Sequence, residues 1–394
     1  MNYSQKFSRP AQAAQPDLIN TILARTLARP DIISFAVGTP DTTLLPIDLL
    51  EKLTNQATEK YGQPILQYGF PKGFPPLIDA VQPWLKKRGI SADATTIHIS
   101  TGGSGALNNT CMALLDDGDI VLVESPTYPP AIKNFQAYGA QVVSIACDES
   151  GMLPAALEIQ LKKQAAKFIY CLPTFQNPTG NVMPLERRQQ IAALAQKYDT
   201  LIVEDDVYYD LRYRGHDVPT MQTFAVDHTI YLSSFSKIFA PAMRVGFAVL
   251  PEPILEKLIT FKQVIDMATS PYTQALTTEF LLTAASDHVA TLHAAYSAKL
   301  NALLAALKTH MPTGFSWNQP QGGLFVWVKG PDDFDSEKLL ERAITAGVAY
   351  IPGSGFFVNP AEGRSAMRLC FAHPSVENIE KGIATLAKLC HEAG

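Results

Sequence analysis

The sequence predicts an α/β protein, a mainly parallel sheet flanked by helices and joined to a smaller α+β domain. Three observations predict it. From Ile97 onward short apolar runs alternate with single helical stretches, those runs end in polar or glycine-rich turns, and past Pro253 the rhythm gives way to long helices and a mixed tail. Strands separated by single helices need crossover connections, which place the strands parallel and the helices on the sheet faces. Ligands of such sheets gather at the carboxyl ends of the strands, where this chain keeps its polar residues.

Taken in order, residues 1–30 are Gln- and Ala-rich, with helical spacing through Leu18, Ile19, Ile22, Leu23 and Leu27; they read as an arm that packs on something else. Residues 32–37 form an apolar strand, turned outward by Gly38-Thr39-Pro40-Asp41. Glycine there lets the backbone approach a ligand closely, an ordinary turn glycine being the plainer reading. A helix over 46–61 leads to the Gly/Pro-punctuated loop 66–73, which carries Tyr68 and is too long for a simple turn. The next helix, 75–88, stops at Gly89.

The alternation then begins. Strand 97–100 meets Thr101-Gly102-Gly103-Ser104-Gly105 before a helix over 106–115. Such a turn frees backbone N–H groups at a helix N-terminus, a latent anion site. Strands over 120–124, 141–147, 167–172, 200–206 and 229–233 follow, separated by helices over 130–138, 154–163 and 184–198. Beyond them lie helices over 255–267, 274–285 and 288–309, the last long enough to link two domains. The tail reads as strands 323–328, 349–351 and 367–371 with helices 336–346 and 376–390. The expected division is 1–47 as arm and part of the small domain, 48–287 as the large α/β domain and 288–394 as the small α+β domain.

Composition sets bounds on function. The 394 residues exceed one small core, and with 47% hydrophobic and 18% charged residues they describe a globular, enzyme-like chain. A net charge of −5 and scattered basic residues give no footprint for nucleic acid or an anionic membrane. The start of the chain is polar, without a signal-peptide core, and no apolar run approaches the ~18 residues of a membrane span. Five cysteines without a C-x-x-C pair argue against a disulfide framework or a zinc site and for a reducing compartment, the cytosol.

The chemistry concentrates in Ser233-Ser234-Phe235-Ser236-Lys237, with Arg244 seven residues on. A lysine held between a buried strand and a turn loses hydration, which lowers its pKa and prepares the neutral amine for attack on a carbonyl, as in Schiff-base enzymes. A snorkelling strand-end lysine is the plainer alternative. The serines and Arg244 supply the donors a phosphate monoester needs.

Four polar features thus fall at strand ends: the Gly103-Ser104 turn, Asn177, Asp205 with Tyr208, and Ser234 to Arg244. Asn177-Pro178-Thr179-Gly180, Glu204-Asp205-Asp206-Val207-Tyr208 and Ser234-x-Ser236-Lys237 with Arg244 together resemble the fold-type I, pyridoxal-phosphate-dependent aminotransferases of class I/II. The branch is the one that includes kynurenine/aminoadipate and multisubstrate aminotransferases, and the resemblance covers nearly the whole chain. It implies a seven-stranded, mainly parallel sheet and pyridoxal 5'-phosphate as cofactor. Lys237 would bind the cofactor and shuttle a proton, and Asp205 would keep its ring nitrogen protonated. The adjacent Asp206, which period 2 turns to the other face, is the rival for that second role.

The same resemblance gives Tyr208 and Asn177 to the ring oxygen and Tyr128 to the ring face. It gives Gly103, Ser104, Ser234, Ser236 and Arg244 to the phosphate, and Arg368 to the substrate α-carboxylate, with Gly38, Asn177 and Gly322-Gly323 bordering that pocket. Tyr68 would reach the phosphate of a neighbouring subunit, making a homodimer the active unit. Amino-acid and 2-oxo-acid substrates then react in two ping-pong halves. Two departures stand out: Ile19-Asn20 where dicarboxylate-using relatives often carry Ile-Arg, and Gly103-Ser104-Gly105 in place of Ser-Gln-Gln, which leaves the anion donors chiefly to the backbone. Elimination, cyclisation or oxidation on the same cofactor is the second reading, and a ligand-sensing domain like that of certain bacterial regulators the third.

Overall fold

In the computed structural model, residues 3–13 and 18–393 are described. The strands are, in chain order, β1 (Ile33–Ser34), β2 (Ile97–Ser100), β3 (Ile120–Ser125), β4 (Gln141–Asp148), β5 (Gly151–Met152), β6 (Phe168–Cys171), β7 (Leu201–Asp205), β8 (Thr229–Ser234) and β9 (Gly246–Val249). The tail adds β10 (Ser316–Trp317), β11 (Phe325–Lys329), β12 (Val348–Ala349), β13 (Ile351–Pro352) and β14 (Ala366–Cys370). The large sheet has the order β2-β9-β8-β7-β6-β3-β4-β5. From β8 to β4 every pairing is parallel, as the alternation requires.

Two details depart from expectation. β9 lies between β2 and β8 and is antiparallel to both, because the chain reverses at Arg244 without an intervening helix. A short eighth strand, β5, hairpins back on β4 and widens the expected seven.

Period 2 sorts the two faces. Phe168, Tyr170, Val203, Ile230 and Leu232 turn to one face, where they pack with Ala106, Leu107, Phe135, Leu255 and Leu258 of the helices. Ile169, Cys171 and Ile202 turn to the other, against Leu157, Leu161, Ile191 and Ala195. β6 and β8 are buried along their whole length, so their apolar runs are continuous rather than alternating.

The tail forms an antiparallel sheet, β10-β11-β14-β13, carried by the 26-residue helix Ala285–His310 and closed by Val376–Ala393. β1 does not join the large sheet but pairs with β12, and Arg25 of the helix Leu18–Leu27 reaches Glu341 at 2.6 Å. The start of the chain is thereby packed against its end. A cleft of about 1000 Å³ runs between the ends of β3 and β4 and the β10–β11 side of the tail sheet. Its lining includes Pro126 and Gln176, close in sequence to Tyr128 and Asn177, and Trp327 and Ala366 of β11 and β14, the strands that carry Phe325 and Arg368.

Candidate active site

β8 ends at Ser234, which caps the single 3-10 turn Phe235–Lys237: its oxygen accepts the Ser236 N–H at 3.1 Å, and the two serine hydroxyls are 2.9 Å apart. The turn lifts Lys237 over the end of the sheet. Its amine donates to the Gly38 carbonyl at 3.2 Å and lies 5.7 Å from the centre of the Tyr208 ring. Burial lowers the Lys237 pKa to about 8; Arg368 and Arg244 push the same way, while Cys370 and Asp205 oppose them.

Asp205 closes β7 on the face shared with Val203 and is buried. One carboxylate oxygen accepts the Tyr170 hydroxyl at 2.7 Å; the other has no hydrogen-bond partner among the described residues. Burial raises its pKa to about 6 against the pull of that hydroxyl and of Lys237. Asp206 goes the other way. It accepts the Tyr231 hydroxyl at 3.0 Å, and Tyr231 is in turn held by the buried Arg88 at 2.6 Å, which also donates to Ser233 and pairs with Asp210.

Tyr208 is buried and edge-on to Phe325, with burial raising its pKa; Tyr128, half-buried, precedes the helix Pro129–Ala137. Arg368, buried at the middle of β14, donates to the Asn177 side-chain oxygen at 2.9 Å and to the Ala36 carbonyl at 2.8 Å. Its guanidinium lies over Phe325 at 4.4 Å and Phe356 at 5.1 Å. Gly38 sits against this group: a Cβ on it would meet Phe325 at 3.4 Å and Arg368 at 3.5 Å.

The glycine-rich turn is itself the first turn of its helix, Gly102–Leu114, rather than a preface to it. Gly102 has φ +74°, and a Cβ there would stand 2.6 Å from the Arg244 guanidinium; one on Gly103 would meet Ser234 at 3.6 Å. Arg244, itself left-handed at φ 51°, keeps its guanidinium exposed, and Ser104 is exposed beside the helix start. Free N–H groups, an arginine and two serines therefore meet at one helix N-terminus.

Lys237, Asp205, Tyr208, Asn177, Arg368 and Gly38 are thus brought together, with Gly103, Ser234, Ser236 and Arg244 at one side. Tyr68 is not among them. It is 79% exposed on a loop whose Gly69 packs on Pro271 and Ala268. Gly322 and Gly323 are buried, and a Cβ on either would run into Phe175. Sequence reasoning missed Tyr170, Phe325 and Phe356. Tyr170 had a signal, a lone hydroxyl inside the otherwise apolar run of β6; the phenylalanines, in apolar runs of their own, had none.

A lysine of lowered pKa, a buried acid, an anion cup and a buried arginine on a mainly parallel sheet define an enzyme of amino-group chemistry. The sequence pattern of aminotransferase class I and II matches residues 30–386. Aromatic-amino-acid aminotransferase 1 of Thermococcus litoralis is 34% identical, covering 100% of this chain and 95% of its own. The 2-aminoadipate transaminase of Thermus thermophilus is 33% identical over 98% of this chain and 97% of its own. Among solved structures, a kynurenine aminotransferase of Pyrococcus horikoshii in complex with PMP has a TM-score of 0.94 at 36% identity, covering 99% of this chain and 98% of that one. The chain belongs to the class I and II aminotransferase family. It is an aminotransferase.

Proposed function

We propose that the chain transfers an amino group between an L-amino acid and a 2-oxo acid in two ping-pong half-reactions, with pyridoxal 5'-phosphate as cofactor and Lys237 as the reacting amine. The observation that carries this reading is the Lys237 amine, enclosed by Gly38, Tyr208 and Arg368 and lowered to about 8, standing between an anion cup and a buried carboxylate.

The residues fit the cofactor. Asp205 keeps an unpaired buried oxygen, which a protonated ring nitrogen would satisfy. The Gly102–Gly103 turn leaves room beside Arg244 and Ser234 that any side chain would fill. When bound, pyridoxal 5'-phosphate supplies a carbonyl carbon for the amino group and an electron sink for charge released at the substrate Cα.

The chain's own residues would then divide the work. Gly103, Ser104, Ser234, Ser236 and Arg244 bind the phosphate through N–H, hydroxyl and guanidinium donors. Asp205 balances the ring nitrogen, Tyr208 and Asn177 donate to the ring oxygen, and Tyr128 covers the ring face. Arg368 grips the substrate carboxylate, its planar fork held flat between Phe325 and Phe356. Lys237, neutral for about half the time at pH 8, takes the proton from Cα and returns it on the other side of the reaction.

The preferred substrates carry an uncharged side chain. Asn20 stands exposed on the arm, and the arm's Arg25 is engaged by both oxygens of Glu341, which leaves it no fork for a second carboxylate. Domains divided at 47 and 287, a homodimer that brings Tyr68 to its partner's phosphate and a cytosolic home complete the proposal. The exposed Leu66, Tyr68 and Phe70 support the dimer, and five free cysteines support the reducing compartment. Among the described residues no helix is long and apolar enough to cross a membrane.

Incubating the cofactor-loaded protein with single amino acids tests the reaction. Conversion of the cofactor's absorbance to that of its amine form, reversed by a 2-oxo acid, is expected. Release of pyruvate and ammonia without that conversion would overturn transamination in favour of elimination.

A further inference from the structure

Resting on the reading of Asp205 given above, we propose that Tyr170 is a positioning residue: it ties down one oxygen of Asp205 so that the other is presented to the ring nitrogen of the cofactor. The placement follows from the sheet. Tyr170 on β6 pairs with Val203 on β7, and period 2 puts Asp205 on the same face two residues further along. The phenol therefore reaches diagonally across the pair of strands, and its hydroxyl lies 2.7 Å from Asp205 Oδ2. Asp205 Oδ1, buried on the same carboxylate, has no partner among the described residues. One oxygen is spent on the protein and one is kept in reserve.

The tyrosine has little freedom to do anything else. It is wholly buried, and its ring meets Phe135 edge-on at 5.2 Å; Phe135 in turn meets Phe168 edge-on at 5.4 Å. That aromatic row fixes the ring plane and hence the direction of the O–H bond. Packing alone would be served by a phenylalanine, as at Phe135 and Phe168. The hydroxyl is the polar atom of the row, and a buried hydroxyl with a single carboxylate partner is a directional tether. Burial and the neighbouring Asp205 both raise the phenol's pKa, so Tyr170 stays protonated and remains the donor. Its hydrogen bond favours the ionised acid, which burial alone would neutralise. Asp206 cannot substitute, because its carboxylate faces Tyr231 and Arg88.

Tyr170→Phe removes the tether and keeps the ring. The readouts are the dissociation constant of pyridoxal 5'-phosphate, measured by equilibrium dialysis between pH 5 and pH 8.5, and the melting temperature of the cofactor-free protein. The expected result is a dissociation constant raised about tenfold at pH 8, with the gap to wild type closing toward pH 5 as Asp205 becomes protonated in both. In an Asp205→Asn background the same change should add less than about twofold, because the residue acts through that acid. Wild-type affinity across the pH range in Tyr170→Phe, alongside a clear loss in Asp205→Asn, would overturn the role of Tyr170 alone. A full additional loss in the double variant, or a lowered melting temperature with unchanged cofactor affinity, would reduce Tyr170 to a packing residue. Unchanged affinity in Asp205→Asn itself would instead overturn the underlying reading of that acid.

Discussion

Asp205 and Asp206 adjoin in sequence, yet one faces the site and the other a buried arginine. The motif around them was legible because an acid three residues before a tyrosine at a strand end is specific, and strand periodicity alone said that the two acids part. Arg368 was equally plain in Met367-Arg368-Leu369. What surrounds it was not: Phe325 stands in an apolar run that looks like any core strand, and only the antiparallel pairing of β11 with β14 brings it under the guanidinium. At this scale two outcomes are expected. Lys237→Ala should abolish turnover and the absorbance of the lysine-linked cofactor yet stabilise the cofactor-free protein at pH 7. The wild-type lysine has a folded pKa near 8 against 10.5 in the unfolded chain, so its buried charge is a full penalty below pH 8 that fades as pH rises toward 10.5. Melting curves of both proteins at pH 7 and pH 10 check the sign, the gap being wider at pH 7. Arg368→Lys keeps the charge but loses the two-pronged grip, and KM for the amino acid should rise roughly 10- to 100-fold with a smaller change in kcat; an unchanged KM would remove Arg368 from the carboxylate site.

Elements were legible where they were long and periodic. The parallel strands β3, β4, β6, β7 and β8 announce themselves as apolar runs between helices. β9 does not, since its four residues follow the Arg244 turn directly and lack a helix of their own to separate them from it. The start of the helix at Gly102 was hidden for a different reason: glycines normally end helices, and here they begin one so that the first turn can lie against Arg244 and β9. Gly102→Ala is expected to strain a φ of +74° and push the Arg244 guanidinium aside, weakening cofactor binding by roughly tenfold in a dialysis measurement while leaving the fold intact. Glu124, at the end of β3, offers a test of burial. Its pKa is raised to about 7, chiefly by desolvation, although it accepts the Leu172 N–H at 2.9 Å. The unfolded chain gives up that proton near 4.5, so the wild type loses stability as pH rises from 4.5 through 7. Glu124→Gln should therefore gain on the wild type by roughly 2–3 kcal/mol between pH 4.5 and pH 8, read from denaturant curves.

At the scale of the whole molecule, the proposed homodimer makes a prediction that no single chain can meet. Subunits carrying Lys237→Ala and subunits carrying Tyr68→Ala should each be nearly inactive. When mixed, unfolded together and refolded, they should regain activity well above either parent, because a mixed pair contains one site with an intact lysine and a partner's intact tyrosine. No regain would place Tyr68 outside the site. The separate tail sheet was readable from the change of rhythm past Pro253, but the fate of the start of the chain was not: two residues of β1 carry too little pattern to say which sheet they join. That small strand has a consequence for how the protein is made. β1 waits for β12, the Ala36 carbonyl accepts from an arginine 332 positions later, and the Gly38 carbonyl accepts from a lysine 199 positions later. During synthesis from the N-terminus, Lys237 emerges well before Arg368, so the lysine is present before the tail's share of its surroundings. A chain halted between these two positions would carry the lysine without the arginine that helps to lower its pKa.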